Sequence, residues 1–233
     1  MFRESGLSKN LSCFLRYLSE QNSEDDGRLP PLTELSKELG ISIASLREQL
    51  EVARTLGLVE VKPRTGIKRL TYSFRPAVFQ SLSYAATLDS GNFIYFNDLR
   101  KHIEAAYFIE AAKLLNENDH KKLISLVELA EEKIKGRPAR IPHVEHCDLH
   151  LTIYSRLNNP FVSGLLEAYW DLYAAFGYGV VTDRSYLEKV WNYHRKMVES
   201  IIAGEYTNGF KYLMDHMNLI SERPKTLPSQ KFE

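Results

Sequence analysis

The chain of 233 residues has little of what defines several classes of protein. Its only cysteines, Cys13 and Cys147, lie far apart, which excludes a disulfide framework and favours a reducing compartment. The apolar runs are far shorter than the about 18 residues that a membrane span needs, and the N-terminus lacks the apolar core of a signal peptide. We therefore expect a cytoplasmic protein without a membrane segment.

Net charge is also absent, because 30 basic residues balance 30 acidic ones. Global charge therefore indicates no particular partner, and any surface for nucleic acid must come from local clustering. The hydrophobic fraction of 44% and the charged fraction of 26% are ordinary for a globular protein, so the chain can bury a core.

Helical spacing of apolar residues marks three segments before residue 58. The first covers residues 7–21. In the second, "PLTELSKELG", Thr33 is the expected cap and Gly40 the expected stop. The third begins after a second expected cap, Ser42, and continues to Gly57.

A β-hairpin is predicted next, because "LVEVKP" and "IKRLTYSF" alternate apolar and polar residues around "RTG". Helices followed by a hairpin are typical of a winged helix-turn-helix, which binds DNA. The segment 62–75 has no acidic residue and five basic ones, namely Lys62, Arg64, Lys68, Arg69 and Arg75. This suits contact with phosphates. The alternative is a small α+β interaction module with a solvated basic hairpin.

Beyond residue 76 no strand signal is convincing, and helical periodicity continues to about residue 221. The helical segments are 76–88, 92–116, 119–134, 142–157, 160–177, 184–203 and 207–221. We predict a mostly α protein, with a winged helix-turn-helix domain in residues 1–75 and an all-α helical bundle in residues 76–233.

Three of the seven histidines fall within eight residues, "HVEHCDLH". Residues four apart differ by about 40° around a helix, so His146 and His150 lie side by side and can chelate one ion. Cys147 and Asp148 point away from that face. The alternative is a set of unrelated core or surface histidines, and spacing alone does not decide between the two.

The sequence resembles the GntR family of bacterial transcription factors, in the branch with an all-helical FCD ligand domain. The first half carries this likeness in "LPPLTELSKELGISIASLREQLEVARTLGLVEVKPRTG". The second half carries it in "LRKHIE", "HCDLHLTIYSRLNNP", and then His194 and His216, 22 residues apart. The resemblance covers about residues 15–220. It implies a non-enzymatic regulator that binds operator DNA as a homodimer.

Members of that family often hold a divalent metal through one aspartate and three histidines. By resemblance, His150, His194 and His216 take the histidine positions, and His146 stands where the family has aspartate. Four neutral imidazoles leave the full charge of the ion, and they favour Zn²⁺ or Ni²⁺ over Mn²⁺. His143 is expected to be a surface residue at the start of the helix.

Arg100 and Glu104 match a helix of the family that faces the ligand cavity. The resemblance implies that the Arg100 guanidinium grips a small carboxylate effector through forked hydrogen bonds. The alternative is an ordinary i,i+4 pair on the protein surface.

The DNA-binding half departs from the family at Thr33 and Ile43, where arginine is common. We therefore expect an unusual operator sequence. Arg47 remains to read a guanine edge, while serines, a threonine and basic residues are available for phosphates. The expected DNA-binding residues are Thr33, Ser42, Ser45, Arg47, Arg64, Thr65, Gly66 and Lys68.

Two other functions stay open from sequence alone. A metal with an open coordination position can activate water, as in a metal-dependent hydrolase or isomerase. No general base is evident on the ligand-bearing faces, however, and the DNA-reading half would be unexplained. The second alternative is a regulator that senses the metal ion itself.

Overall fold

The computed structural model describes residues 8–21, 26–175 and 184–219. The chain divides into two compact units, Met1–Ser81 and Leu82–Glu233. Within the described residues, no helix is both long enough and apolar enough to cross a membrane.

Among its described residues, the first unit contains three complete α-helices, a two-stranded antiparallel sheet and the start of a fourth helix. After a short 3₁₀ turn at Ser8–Asn10 come α1 (Cys13–Glu20), α2 (Leu32–Leu39), α3 (Ile43–Thr55), β1 (Val59–Lys62) and β2 (Gly66–Arg69). The predicted order of helices and hairpin is confirmed.

Capping side chains set the helix starts in this unit. The Ser12 hydroxyl accepts a hydrogen bond from the amide of Leu15, so α1 starts later than the predicted residue 7. The Ser42 hydroxyl caps α3 as expected. The prediction that Thr33 caps α2 is wrong, because α2 already begins at Leu32. Thr33 lies in its first turn.

The hairpin is the wing of the unit. Val59 pairs with Arg69 and Lys62 with Gly66, while Arg64 takes a positive φ of 72° in the turn. Val59 and Ile67, one from each strand, point inward, so the hairpin joins the core of the helices. The buried side chains of this core are Phe14, Leu18, Leu35, Leu46, Leu50, Ala53, Val59 and Ile67.

The remaining helices begin at the end of the first unit, and all but the first of them pack together as a bundle. They are α4 (Arg75–Leu88), α5 (Asn92–Leu114), α6 (Glu117–Lys135), α7 (His143–Tyr154), α8 (Pro160–Ala175), α9 (Arg184–Ile202) and α10 (Tyr206–Leu219). Each predicted segment is confirmed to within a few residues. The predicted ends at 176–177 and 220–221 lie outside the described residues.

Helix packing brings α5, α7, α9 and α10 around one interior. α10 packs along α9 and against α5, whereas α7 lies between α5, α6 and α8. At Gly209 on α10, an added Cβ would lie only 3.3 Å from the Phe108 ring on α5, so this glycine permits a close approach of the two helices. Lys133 and Glu145 join α6 to α7 through an ion pair of 2.5 Å.

Candidate metal centre

Four histidines meet inside the bundle. α7 supplies His146 and His150, α9 supplies His194, and α10 supplies His216. One ring nitrogen from each lies within 4.8 Å of the others. The convergence of three helices, which the spacing in the sequence left undecided, is therefore present in the fold.

Hydrogen bonds determine the tautomers of two of these rings. Nδ1 of His150 lies 3.1 Å from Oε2 of Glu104, and Nδ1 of His194 lies 3.1 Å from the carbonyl oxygen of Val190. A carboxylate and a carbonyl only accept hydrogen bonds, so both Nδ1 atoms donate. In each neutral ring, Nε2 then carries a lone pair.

Those two Nε2 atoms face each other at 3.3 Å. Two lone pairs at this distance repel unless a proton or a cation lies between them. Burial, together with the neighbouring imidazoles, holds the pKa of His146 and that of His194 well below the ordinary value of 6.5, which disfavours a proton on Nε2 of His194. A metal cation bound by both nitrogens would remove the repulsion.

One pair of these nitrogens already has the spacing of two ligands of one ion. With bonds of about 2.0–2.1 Å to a tetrahedral Zn²⁺, neighbouring nitrogens lie about 3.3–3.4 Å apart, and Nε2 of His150 lies 3.3 Å from Nε2 of His194. Nε2 of His146 is buried and has no hydrogen-bond partner among the described residues. It is the kind of buried acceptor that a coordinated cation satisfies.

Arg100 and Glu104 lie beside this cluster, with exposed fractions of 1% and 0%. Arg100 donates from Nη1 to Oε2 of Glu104 at 3.1 Å and from Nη2 to Asn97 at 3.4 Å. Its guanidinium lies over the Tyr169 ring, 4.6 Å from the centroid. The alternative of an exposed surface pair is therefore wrong, because the pair is internal.

The carboxylate of Glu104 is charged in this setting. Burial alone would raise its pKa, but the charge of Arg100 and the contact with His150 outweigh burial and lower the pKa below its ordinary value. The Tyr154 hydroxyl donates to the backbone carbonyl of Glu104 at 2.9 Å. The contacts of Oε2 with Arg100 and His150 hold the carboxylate between α5 and α7.

Aromatic rings enclose the cluster, and sequence reasoning missed them. The ring of Trp170 lies 4.8 Å from that of His146, and Trp191 lies 4.7 Å from His194, both between centroids. Tyr173 lies 6.2 Å from His146. The i,i+3 spacing of Trp170 and Tyr173 on α8 was a usable signal for a shared interior face.

The other residues of α7 lie where the sequence placed them. His143 is the first residue of the helix and is exposed. Cys147 and Asp148 are half-buried and do not belong to the group of converging donors.

The expected DNA-binding residues all lie in the first unit. Arg47 is exposed on α3, and Thr33 is exposed on α2. Ser45 is half-buried, and its hydroxyl accepts a hydrogen bond from Gln49 at 3.3 Å. The exposed residues of the turn and wing are Arg64, Thr65, Gly66 and Lys68.

Two basic residues of the hairpin have intramolecular partners. Arg69 donates to the carbonyl oxygen of Gln21 at 2.5 Å, and Lys62 pairs with Glu60 at 2.9 Å. The basic segment 62–75 therefore has fewer positive charges available for DNA phosphates than its sequence indicated.

A winged helix-turn-helix followed by a helical bundle with a buried histidine cluster defines a class of bacterial regulators with a ligand domain. The FCD domain profile matches residues 96–219, more than half of the chain. The chain belongs to the FCD domain family, and the resemblance to the FCD-type branch of the GntR regulators is confirmed.

Solved structures are similar over nearly the whole chain. A GntR protein from Streptococcus agalactiae has a TM-score of 0.64 at 16% identity, and the match covers 90% of this chain and 95% of that one. Lar, which controls the agr system of Listeria monocytogenes, has a TM-score of 0.50 at 15% identity, covering 90% and 93%. These likenesses establish the fold. No curated protein is significantly similar in sequence.

Proposed function

We propose that this chain is a homodimeric transcriptional regulator whose operator binding responds to a small carboxylate at a histidine-bound divalent metal. The observation that carries the proposal is the four-histidine cluster, located in a helical bundle that follows a winged helix-turn-helix. The membership of the chain in the FCD domain family supports its assignment as a regulator.

The metal ligands are His146, His150, His194 and His216. Four imidazoles supply nitrogen donors and no negative charge, so Zn²⁺ or Ni²⁺ fits better than Mn²⁺. Glu104 and Arg100 carry opposite charges and offset each other, which leaves the charge of the ion uncompensated. This favours an anionic effector.

Arg100 is the proposed contact for the carboxylate effector. Its Nε has no hydrogen-bond partner among the described residues, while Nη1 and Nη2 bind Glu104 and Asn97. The N–H of Nε is therefore available to a carboxylate. Buried ionic recognition of this kind is strong because little water competes for the donor.

We assign DNA recognition to α3, including its N-terminus, and to the wing. Arg47 reads a base edge in the major groove, and the hydroxyl and basic residues bind phosphates. A helix-turn-helix dimer reads two half-sites about one helical turn apart, so two copies bind a two-fold operator. Light scattering of the purified protein measures the expected dimer mass.

Regulation requires the effector to bind the DNA-competent and DNA-incompetent arrangements with different affinity. The competing enzymatic function predicts turnover of a hydrolysable or isomerisable substrate by the metal-loaded protein. A metal-sensing regulator predicts instead that operator affinity follows the concentration of the ion without any acid.

The deciding experiment is metal analysis of the purified full chain and of His150→Ala. We expect about one equivalent of metal in the wild type after loading and loss of stoichiometric metal in the variant. His143→Ala is the matched control, because His143 is exposed on the same helix and should leave the content unchanged. A wild type that binds no metal under metal-replete conditions contradicts the proposal.

A further inference from the structure

The carboxylate of Glu104 touches a cluster histidine without belonging to the converging donors. We propose that Glu104 is a positioning residue of the metal site, which fixes the His150 ring and increases its strength as a ligand. The inference rests on the proposed metal function of the histidines.

Glu104 and His150 have the geometry of a carboxylate that orients a metal-binding histidine. Oε2 of Glu104 lies 3.1 Å from Nδ1 of His150, on the side of the ring away from the other histidines, while Nε2 faces His194 at 3.3 Å. Such an outer carboxylate holds the tautomer in which the inward nitrogen has its lone pair, and it makes that nitrogen more basic.

The two oriented ligands are not equivalent. His194 donates to the neutral carbonyl of Val190, whereas His150 donates to a charged carboxylate. Because a charge-assisted hydrogen bond polarises the ring more, His150 is the stronger donor of the two. In a site with no carboxylate among its ligands, Glu104 thus strengthens one of four neutral donors.

Arg100 also contacts the carboxylate of Glu104. Its Nη1 donates to the same oxygen of Glu104 that His150 contacts, at 3.1 Å. Without Arg100, a buried carboxylate at 0% exposure would carry an uncompensated charge. Arg100 thus offsets the charge of Glu104 and holds its carboxylate in place, so the predicted effector residue and the proposed metal ligand share one carboxylate oxygen.

The test compares Glu104→Gln with Glu145→Gln in the full chain. Glutamine keeps the shape of the side chain and removes its charge. Glu145 is the matched control, because it is also buried and paired with a basic residue, Lys133, and it lies on the helix that carries His146 and His150. None of its described hydrogen bonds involves a cluster histidine.

Zn²⁺ affinity is measured by competition with a chromophoric chelator on metal-free protein. Glu104→Gln is expected to weaken binding about 10–100-fold, as loss of an outer-shell partner does, and Glu145→Gln to leave it unchanged. In the Co²⁺-loaded protein, the visible absorption bands should shift only in Glu104→Gln. This is a response that a merely structural role would not give.

Nitrogen-15 spectra of the metal-free wild type provide a measurement that needs no variant. They should find the His150 proton on Nδ1. A proton on Nε2, or equal Zn²⁺ affinities in wild type and Glu104→Gln, overturns the inference while the metal function stands. A wild type without Zn²⁺ binding defeats the proposed function itself.

Discussion

Imidazole at position 146, where the family resemblance implies aspartate, changes the charge of the proposed site. His146→Asp adds one negative charge a few ångströms from a bound acid. At an effective dielectric of about 20, a unit charge at about 6 Å contributes roughly 3 kcal/mol before screening. We expect the variant to keep the metal and to bind a di- or tricarboxylate about tenfold or more weakly.

Calorimetry on both proteins, loaded with the same metal, measures this difference. Citrate is a suitable probe, and a neutral sugar is the matched uncharged ligand. Equal affinities for the acid, or tighter binding by the aspartate variant, would mean that the imidazole does not contribute to the choice of ligand.

Buried imidazoles also make the stability of the metal-free protein depend on pH. Burial lowers the pKa of both His146 and His194 in the folded state, whereas the unfolded chain titrates near 6.5. Below pH 6.5 the unfolded state therefore binds more protons, and the free energy of unfolding falls by up to about 1.4 kcal/mol per pH unit for each ring. Above that value these rings contribute no pH dependence.

Denaturant unfolding of the metal-free protein between pH 8 and pH 5.5 tests this expectation. The dependence of the free energy of unfolding on pH should become weaker in His194→Gln. It should be unchanged in His143→Gln, because His143 is exposed. A flat profile in the wild type would mean that the cluster is hydrated or readily protonated.

At the scale of elements, α3 presents the base-reading residue. Arg47→Ala should weaken specific operator binding by about 1–3 kcal/mol, the usual contribution of a good base contact. Arg54→Ala is the control, since Arg54 is exposed on the same helix but is held by Glu51 at 2.6 Å. Fluorescence anisotropy at matched salt measures both, and an unchanged affinity for Arg47→Ala would exclude α3 as the reader of this operator.

The sequence predicted the elements well because their boundaries depend on local interactions. Ser42 and Gly40 mark a helix start and a helix end by capping and by a positive φ of 66°. The prediction that Thr33 caps α2 was wrong because a residue that suits a cap also fits the first turn of a helix. The i,i+4 histidine pair was readable for the same local reason.

Contacts between distant segments were harder to predict. Glu104 and His150 are 46 residues apart, and no periodicity reveals which side of a buried ring meets a carboxylate. The aromatic wall of α8 and the internal position of Arg100 likewise depend on how helices pack. The resemblance supplied His194 and His216 as candidate ligands, whereas the spacing of residues alone did not.

At the scale of the whole molecule, metal binding should stabilise one unit more than the other. The proposed ligands all lie in Leu82–Glu233. Zn²⁺ at about 100 times its dissociation constant adds about 2.7 kcal/mol to the free energy of unfolding of the unit that binds it. In scanning calorimetry we expect Zn²⁺ to raise the transition of the helical unit alone.

The same scan of His150→Ala should give no shift with Zn²⁺. An equal shift in that variant would place the stabilising ion elsewhere on the chain. An upward shift of the winged helix-turn-helix transition in the wild type would mean that the two units unfold as one.

The close approach at Gly209 affects the helix that supplies His216. Gly209 and His216 lie on one helix, seven residues or about two turns apart, so they point to nearly the same side. Any side chain at position 209 must move the Phe108 ring or the helix by a few tenths of an ångström. Metal–nitrogen distances tolerate only about 0.2 Å. The absence of a side chain at position 209 thus lets α10 pack against α5 at the separation at which His216 meets the other three histidines.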